Sequence, residues 1–425
     1  MNNQEWFQIA TNLSEDLDLS SEIIIDDSKF NYEFEEGGSG AESELLNKSN
    51  RRPLLFDYQK EIVDQVLATS PLETGLLALP TGAGKTRTAL AVCLEGIANN
   101  SLKTIIWLAT TMELIDQAFE TTKSLYENHG GINEIFLSKK LEDFPVDHEL
   151  RRVPTIIFVT PQAIYANSRK RNRPSLRPDL VVFDEAHQAV AETYKDAIQH
   201  LGCLDSDIPT PLLGLSATPG RTKITETESL VQMFNERLLT APSLGHNPIV
   251  ALEKKRILSK IEFKMIPTKN MPSKENVRRR LELIYRLTKK LINQKKRPLI
   301  FAPSVDAAIA LSAVFKATGI KSEAIHSRLE MHDRRQYIND FATRNLDVLT
   351  NERILATGYD CPAVSDVIFG AEVGSPIHFE QMVGRACRGS KTGGSARSTV
   401  WQFEDHLQLH GLPQSYRRYE DFRWD

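Results

Sequence analysis

From about Arg52 onwards, short aliphatic runs alternate with stretches in which apolar residues recur at helical spacing. Such near-continuous apolar runs are typical of strands that are buried on both faces of a parallel sheet. Two series of strands are predicted. The first series is Leu76–Leu79, Thr104–Ala109, Thr155–Val159, Val181–Phe183 and Leu212–Leu215. The second series is Leu299–Phe301, Ala324–Ile325, Val348–Leu349, Val367–Phe369 and Thr399–Trp401.

Helical periodicity marks Glu61–Leu67 and Thr88–Ile97, and a charged, helix-favouring stretch, Ser273–Lys296, separates the two series. Alternating strands and helices in two series predict an α/β protein made of two doubly wound parallel-sheet lobes. The predicted boundaries are residues 48–250 for the first lobe, 251–296 for a connector and 297–425 for the second lobe.

Charge is unevenly distributed along the chain. The 425 residues carry a net charge of −4, but residues 1–50 contain twelve acidic residues and two lysines and so carry −10. The remaining residues therefore carry +6, which permits a nucleic-acid partner without demonstrating one. Residues 1–47 are predicted to be an acidic segment that ends in the flexible linker Glu35–Gly40. We interpret it as a solvated tail, or as a segment that competes with nucleic acid or binds a partner protein.

Composition excludes several classes of protein. Apolar residues make up 41% of the chain and charged residues 25%, which is typical of a globular protein. No apolar run is long enough to span a bilayer, and the N-terminus lacks the pattern of a secretory signal. The four cysteines, Cys93, Cys203, Cys361 and Cys387, lie far apart, which argues against a metal cluster or a disulfide framework. A cytoplasmic location is therefore expected.

A glycine-rich turn connects the first predicted strand to a helix. Pro80, Thr81, Gly82, Ala83 and Gly84 precede Lys85 and Thr86. Glycines let several backbone N–H groups approach a triphosphate closely, and the following helix presents its positive end to the anion. Lys85 is expected to reach the β- and γ-phosphates, and the Thr86 hydroxyl is expected to bind Mg²⁺. The sequence therefore predicts ATP and Mg²⁺ as cofactors, although Leu79 stands where the general motif has its first glycine.

Two carboxylates follow another buried strand. Asp184 and Glu185 come directly after Val181–Phe183, with His187 two residues later. Asp184 is predicted to hold Mg²⁺, partly through water, and Glu185 to orient or deprotonate the attacking water. His187 is expected to couple this site to its neighbours.

The string Gln381–Arg388 fits the pattern QxxGRxxR and in this resembles superfamily 2 helicases, in which two lobes share the nucleotide. Charge spreads over the γ-phosphoryl oxygens during hydrolysis, and a guanidinium supplied from the opposing lobe would stabilise it. Arg388 is the predicted arginine finger, Arg385 is placed beside it on the γ-phosphate, and Gln381 would sense the nucleotide or position water.

The motifs occur in an order that resembles the superfamily 2 DEAD/DEAH-box helicases and translocases, over about residues 55–388. The resemblance implies two tandem RecA-like lobes that close on ATP between them. It also implies nucleotide contacts by Gln59, Gly358 and Asp360. Residues implied in the nucleic-acid grip, or in coupling it to hydrolysis, are Thr110, Gln117, Thr160, Pro161, Gln162, His187, Ser216, Thr218, Ser304 and Ser327.

The residues of these motifs are similar to those of DNA-repair, phage-recombination and restriction-type motors. The resemblance therefore implies an ATP-dependent DNA helicase or translocase that grips the backbone without strong sequence specificity. Two alternatives stay open: an RNA helicase, and an ATPase motor or switch subunit of a larger DNA-processing or phage-defence complex. Tyr416–Tyr419 and Phe422–Trp424 mix basic and aromatic residues, and are interpreted as a helix packed on the second lobe or as a surface for bases or a partner.

Overall fold

The computed structural model describes residues 43–47, 55–69, 71–129, 131–145, 153–169, 176–205, 207–219, 224–268, 276–352, 354–356, 363–373 and 376–404. These residues form two compact units, which meet along the chain between Ala251 and Leu252. None of the described helices is long and apolar enough to cross a membrane.

The first unit is built on an eight-stranded sheet. Its strands are β1 (Ser43–Asn47), β2 (Gly75–Ala78), β3 (Thr104–Leu108), β4 (Glu134–Ser138), β5 (Thr155–Val159), β6 (Leu180–Phe183), β7 (Leu212–Ser216) and β8 (Leu238–Leu239). The strand order is β1-β4-β5-β3-β6-β7-β2-β8. All pairings are parallel except that of β1 with β4. Strands β2, β3, β5, β6 and β7 are buried along their whole length, as their aliphatic sequences predict.

The second unit is built on a six-stranded parallel sheet. Its strands are β9 (Lys260–Ile266), β10 (Pro298–Phe301), β11 (Ser322–Ile325), β12 (Val348–Asn351), β13 (Asp366–Phe369) and β14 (Arg397–Phe403). The strand order is β11-β12-β10-β13-β14-β9. Both units therefore have the predicted doubly wound parallel architecture, and all ten predicted strands are present within a few residues of their predicted ends.

Helices fill the connections between the strands. In the first unit they are α1 (Asp57–Leu67), α2 (Lys85–Ala98), α3 (Met112–Tyr126), α4 (Pro161–Ser168), α5 (Glu192–His200) and α6 (Ile224–Met233). Helix α7 (Pro248–Lys254) passes from the first unit to the second, where α8 (Asn276–Asn293), α9 (Val305–Ala317), α10 (Met331–Ala342) and α11 (Pro376–Val383) follow.

Hydroxyl side chains begin several helices directly after buried strands. The Thr111 hydroxyl accepts a hydrogen bond from Leu114 N in α3, the Thr160 hydroxyl accepts one from Ala163 N in α4, and the Ser304 hydroxyl accepts one from Ala307 N in α9. Each cap satisfies one of the amide groups that the first helical turn leaves without a partner. Short polar caps thus turn the chain sharply from strand to helix, at the sheet edge where the motifs lie.

The stretch predicted as a connector contributes to the second unit. Strand β9 pairs with β14 over seven residues, and α8 packs Leu281, Ile284 and Tyr285 into the same hydrophobic core as Ile300 and Phe403. Likewise, β1 of the acidic segment pairs with β4 at the edge of the first sheet. The hydrophobic runs did not predict β1, β4, β8 or β9, because their sequences are short or interrupted by polar residues.

Candidate nucleotide-binding site

The strand order of the first unit brings the predicted site residues to one edge. Strand β7 lies between β2 and β6, and all three run parallel. Their carboxyl ends lead to the phosphate loop, to Ser216 and to Asp184. In doubly wound sheets, ligands bind at this carboxyl edge. The three segments, which are far apart in the sequence, are therefore neighbours in the fold.

The phosphate loop adopts a conformation that needs its glycines. Gly82 and Gly84 have φ angles of 83° and 81°, in the left-handed region that L-residues with a Cβ disfavour. A turn hydrogen bond from Ala83 N to Pro80 O, 3.0 Å long, closes the loop that contains Thr81. Helix α2 then begins at Lys85, so Lys85 and Thr86 lie at the positive end of a 14-residue helix. This arrangement suits an anion such as a triphosphate.

Thr86 and Asp184 meet at the end of the loop. The Thr86 hydroxyl donates a 3.4 Å hydrogen bond to Oδ2 of Asp184, whose side chain is buried. Burial, and to a smaller degree the neighbouring carboxylate of Glu185, raise the pKa of Asp184 to about 7, while Lys85 acts in the opposite direction. A divalent cation between these oxygens would favour the ionised carboxylate. The hydroxyl and carboxylate oxygens are also the donors that Mg²⁺ prefers, so the residues present fit this ion.

Glu185 is held beside His187 in an unusual backbone conformation. Its φ angle of 54° is in the left-handed region, and its Oε2 lies 3.3 Å from Nδ1 of His187, a side chain that is buried. Backbone strain at a non-glycine residue concentrates at functional sites. The backbone conformation thus directs this carboxylate toward His187.

Ser216 and Thr218 form a closed turn between the loop and Asp184. The Ser216 hydroxyl accepts a 3.1 Å hydrogen bond from Thr218 N and donates a 2.7 Å bond to Thr218 O. The carbonyl of Ser216 also accepts a bond from Leu79 N, just before the phosphate loop. A movement of this turn would therefore be transmitted to the phosphate loop through the hydrogen bond between Leu79 N and Ser216 O. This contact suits the predicted coupling role.

Gln59 contacts the phosphate loop from the side of α1. Its Oε1 accepts a 3.0 Å hydrogen bond from Phe56 N, and its Nε2 donates a 3.4 Å bond to Ala83 O. A Cβ added to Gly84 would lie 2.7 Å from this Nε2. The side chain of Gln59, one of the predicted nucleotide contacts, thus lies directly against the loop that would hold the phosphates.

A second group of predicted residues lies farther along the same edge. Thr110 and Thr160 follow β3 and β5, which are adjacent strands, and Pro161 is the first residue of α4. Gln162 is exposed on α4 and donates a hydrogen bond to the Tyr194 hydroxyl. Gln117 is half-buried on α3. The structure therefore separates this group from the phosphate loop by the width of β6 and β7.

In the second unit, two of the predicted residues also follow strands. Ser304 caps α9 after β10, and the exposed Ser327 comes shortly after β11, where its carbonyl accepts a 2.7 Å hydrogen bond from Arg334. Gly358 and Asp360 lie outside the described residues. Gln381 is buried on α11, and its Oε1 has no hydrogen-bond partner among the described residues.

Arg385 and Arg388 are half-buried and follow α11 directly. The backbone around Arg388 is fixed by an antiparallel bridge to Leu258. Flanking hydrogen bonds join Ser259 N to Cys387 O and Gly389 N to Ile257 O, at 2.8 and 2.9 Å. Sequence reasoning missed this support, because nothing in residues 257–259 marks them as a partner of a segment 130 residues away. It also missed the contact of Tyr58, a buried residue of α1 whose hydroxyl donates a 2.7 Å hydrogen bond to Ala83 O in the phosphate loop.

Two family models match the chain, one in each unit. The res subunit of type III restriction enzymes matches residues 52–221, and the helicase conserved C-terminal domain matches residues 279–390. The chain belongs to superfamily 2 of the helicases. The matched ranges contain the phosphate loop, Asp184 and Glu185 in the first unit, and Gln381, Arg385 and Arg388 in the second.

Known proteins resemble this helicase chain over most of its length. A candidate ATP-dependent helicase of Saccharomyces cerevisiae, IRC3, is 23% identical over 363 residues, which cover 81% of this chain and 51% of IRC3. The chain thus spans about half the length of that relative.

Solved structures confirm the fold as two RecA-like lobes. S. cerevisiae Dbp5 bound to RNA and ADP BeF3 matches with a TM-score of 0.60 and 16% identity, covering 86% of this chain and 88% of Dbp5. The ATP-dependent type ISP restriction-modification enzyme LlaBIII bound to DNA matches with a TM-score of 0.59 and 16% identity, covering 83% of this chain and 28% of that enzyme.

Proposed function

We propose that this chain is an ATP-dependent DNA helicase or translocase, which uses ATP hydrolysis to move on DNA and to unwind or remodel it. The observation that carries the proposal is the convergence of Lys85, Thr86 and Asp184 at the carboxyl edge of β2, β7 and β6, with Thr86 and Asp184 in hydrogen-bond contact. A phosphate loop and a strand-end carboxylate are the two halves of an NTP hydrolysis site.

The residues of the first unit divide the chemistry between them. Lys85 and the backbone N–H groups of the phosphate loop would bind the β- and γ-phosphates. Thr86 and Asp184 would hold Mg²⁺, which supplies neutralisation of the charge that develops on the phosphoryl oxygens. Glu185, oriented by His187, would position the attacking water and accept its proton. Gln59 would read the base from its place beside the loop.

The second unit would complete the chemistry. Arg388 and Arg385 are proposed to stabilise the transition state as guanidinium groups, with Gln381 sensing the nucleotide. Gly358 and Asp360 are proposed to contact the nucleotide. The pairing of Arg388 with Leu258 supports this role, because a stabilising group must be held in place before the reaction begins.

The nucleic-acid grip is proposed to use the capped helix starts that follow strands. Thr160 and Ser304 are the N-caps of α4 and α9, and Thr110 directly precedes Thr111, the N-cap of α3. These residues therefore lie at helix N-termini, where the helix dipoles favour phosphate. Contacts of this kind carry no base information. The grip would therefore be largely independent of sequence.

DNA is favoured as the track by the match of the first unit to the type III restriction enzyme family. The solved structures do not separate the two tracks, since Dbp5 is bound to RNA and LlaBIII to DNA. An RNA helicase is therefore the second candidate. A third candidate is an ATPase motor or switch subunit of a larger DNA-processing or phage-defence complex, which the match to the res subunit of type III restriction enzymes favours.

The test is the rate of ATP hydrolysis by the full chain without nucleic acid and with double-stranded DNA, single-stranded DNA or single-stranded RNA. Stimulation by DNA that is lost in Lys85→Ala and in Arg388→Ala would support the proposal. Stimulation by RNA alone would show that the chain acts on RNA rather than on DNA. A well-folded chain that hydrolyses ATP equally under all four conditions would contradict an independent motor and favour the subunit of an assembly.

A further inference from the structure

The hydroxyl of Tyr58 reaches the phosphate loop from α1. Tyr58 is 1% exposed, and its hydroxyl donates a 2.7 Å hydrogen bond to the carbonyl oxygen of Ala83, 25 residues away. Its ring stacks on Phe56 with centroids 5.9 Å apart and an interplanar angle of 10°. The ring is thus fixed by packing, so the hydroxyl has a defined direction toward the loop.

Ala83 lies between the two glycines that give the loop its shape. Its carbonyl accepts the hydrogen bond from Tyr58 and a longer one, 3.4 Å, from Nε2 of Gln59. A trans peptide unit points its carbonyl oxygen and the following N–H in opposite directions. A carbonyl of Ala83 that is drawn toward α1 therefore turns the N–H of Gly84 away from α1.

We propose that Tyr58 is a positioning residue for nucleotide binding: its hydroxyl fixes the Ala83–Gly84 peptide so that the Gly84 N–H is directed at the bound phosphates. Because Tyr58 makes the shorter hydrogen bond to Ala83 O, Gln59 could give up its own bond to that oxygen and bind the base instead. The loop would keep its conformation. This inference rests on the proposed function, since it concerns the same nucleotide site. In this inference Tyr58 affects the binding of the phosphates, and Gln59 contacts the base.

The variant Tyr58→Phe removes the hydroxyl and leaves the stacked ring in place. Tyr126→Phe is its matched control, because Tyr126 is also 1% exposed in the first unit and also donates its hydroxyl to backbone carbonyls, at 3.2 Å for Asn133 O. The full-length wild type and both variants are compared by calorimetric titration with Mg²⁺ and ATP, GTP or inorganic tripolyphosphate. Thermal melting is recorded in parallel.

Loss of one buried hydrogen bond to the loop is expected to raise the Kd of Tyr58→Phe about fivefold. The factor is expected to be the same for ATP, GTP and tripolyphosphate, since all three share the phosphates. Tyr126→Phe is expected to bind as the wild type does, with a comparable fall in melting temperature.

Three results would overturn the inference alone, while the wild type still binds ATP. These are unchanged binding by Tyr58→Phe, an equal loss in Tyr58→Phe and Tyr126→Phe, and a loss confined to ATP, which would assign Tyr58 to the base. A wild-type chain that binds none of the three ligands would overturn the proposed function, and this inference with it.

Discussion

The hydroxyl of Thr86 lies 3.4 Å from Oδ2 of Asp184, although 98 residues separate them in the sequence. Thr86 is fixed by the first turn of α2, and Asp184 by the end of β6. Two rigid elements on either side of β7 therefore hold the two oxygens that would share a metal ion.

Replacing Lys85 by Ala removes the cation at the start of α2. We expect kcat for ATP hydrolysis to fall by at least about 100-fold, the usual effect of removing one stabilising donor from a transition state. Steady-state phosphate release measures the effect. Lys60→Ala is the control, since Lys60 is exposed on α1 in the same unit and pairs only with Asp57 among the described residues. Equal activities of the two variants would contradict the role of Lys85.

Replacing Arg388 by Ala tests the proposed guanidinium of the second unit. We expect kcat to fall by about 10³-fold or more with little change in KM for ATP, because the group would act on the transition state. Arg388→Lys is expected to restore little of the lost kcat, since an ammonium group lacks the planar, two-pronged donor geometry of a guanidinium. Arg397→Ala is the control, because Arg397 is 73% exposed in the same unit. A variant Arg388→Ala with wild-type kcat would show that the reaction does not need this group.

The raised pKa of Asp184 predicts a pH dependence of stability in the absence of Mg²⁺. The folded-state pKa is about 7, against an ordinary value of 3.8. At pH values between these two pKa values, Asp184 holds a proton in the folded state and has lost it in the unfolded state. The free energy of unfolding is therefore expected to decrease as pH rises from about 4 to about 7, by at most about 1.4 kcal/mol per pH unit.

Urea unfolding in EDTA at pH 5, 6, 7 and 8 measures this dependence. Asp184→Asn is expected to remove that part of the slope, and Mg²⁺ to offset the loss above pH 7 in the wild type. The control is Asp64→Asn, at an exposed position on α1. An identical slope in wild type and Asp184→Asn would show that Asp184 is ionised in the folded state throughout this range.

Gly389 supports the position of Arg388 by its lack of a side chain. A Cβ at Gly389 would overlap the carbonyl oxygen of Arg256, although the φ of −80° suits any residue. Gly389→Ala is therefore expected to lower the free energy of unfolding by roughly 3 kcal/mol through overpacking, and to reduce kcat by displacing Arg388.

Gly319→Ala is the comparison for this substitution. A Cβ added to Gly319 would meet no atom within 4 Å, but the φ of 77° is disfavoured for alanine, so we expect a cost of about 1 kcal/mol and unchanged kcat. Urea unfolding and ATP hydrolysis measure both variants. If Gly389→Ala were as stable and as active as Gly319→Ala, the close packing of Gly389 on Arg256 would have no role in the site.

The sequence alone predicted the ten strands of the two series, and it placed the phosphate loop and Asp184 at the ends of two of them. It could do so because strands buried on both faces must be apolar throughout, and because a phosphate loop needs glycine, lysine and a hydroxyl in a fixed local order. These constraints act within a few residues, so they are readable in a single chain. The polar-interrupted strand β9 and the edge strand β1 carry no such constraint and were not predicted.

Only the tertiary structure decided which segments become neighbours. The order β2-β7-β6 that joins Thr86 to Asp184, the hydroxyl of Tyr58 on Ala83 and the bridge from Leu258 to Arg388 all join residues far apart in the sequence. Such pairings depend on the packing of whole helices and strands against one another, and many strand orders satisfy the same local pattern. The local sequence therefore determines which chemical groups the site contains, and the packing of the core determines how they are arranged.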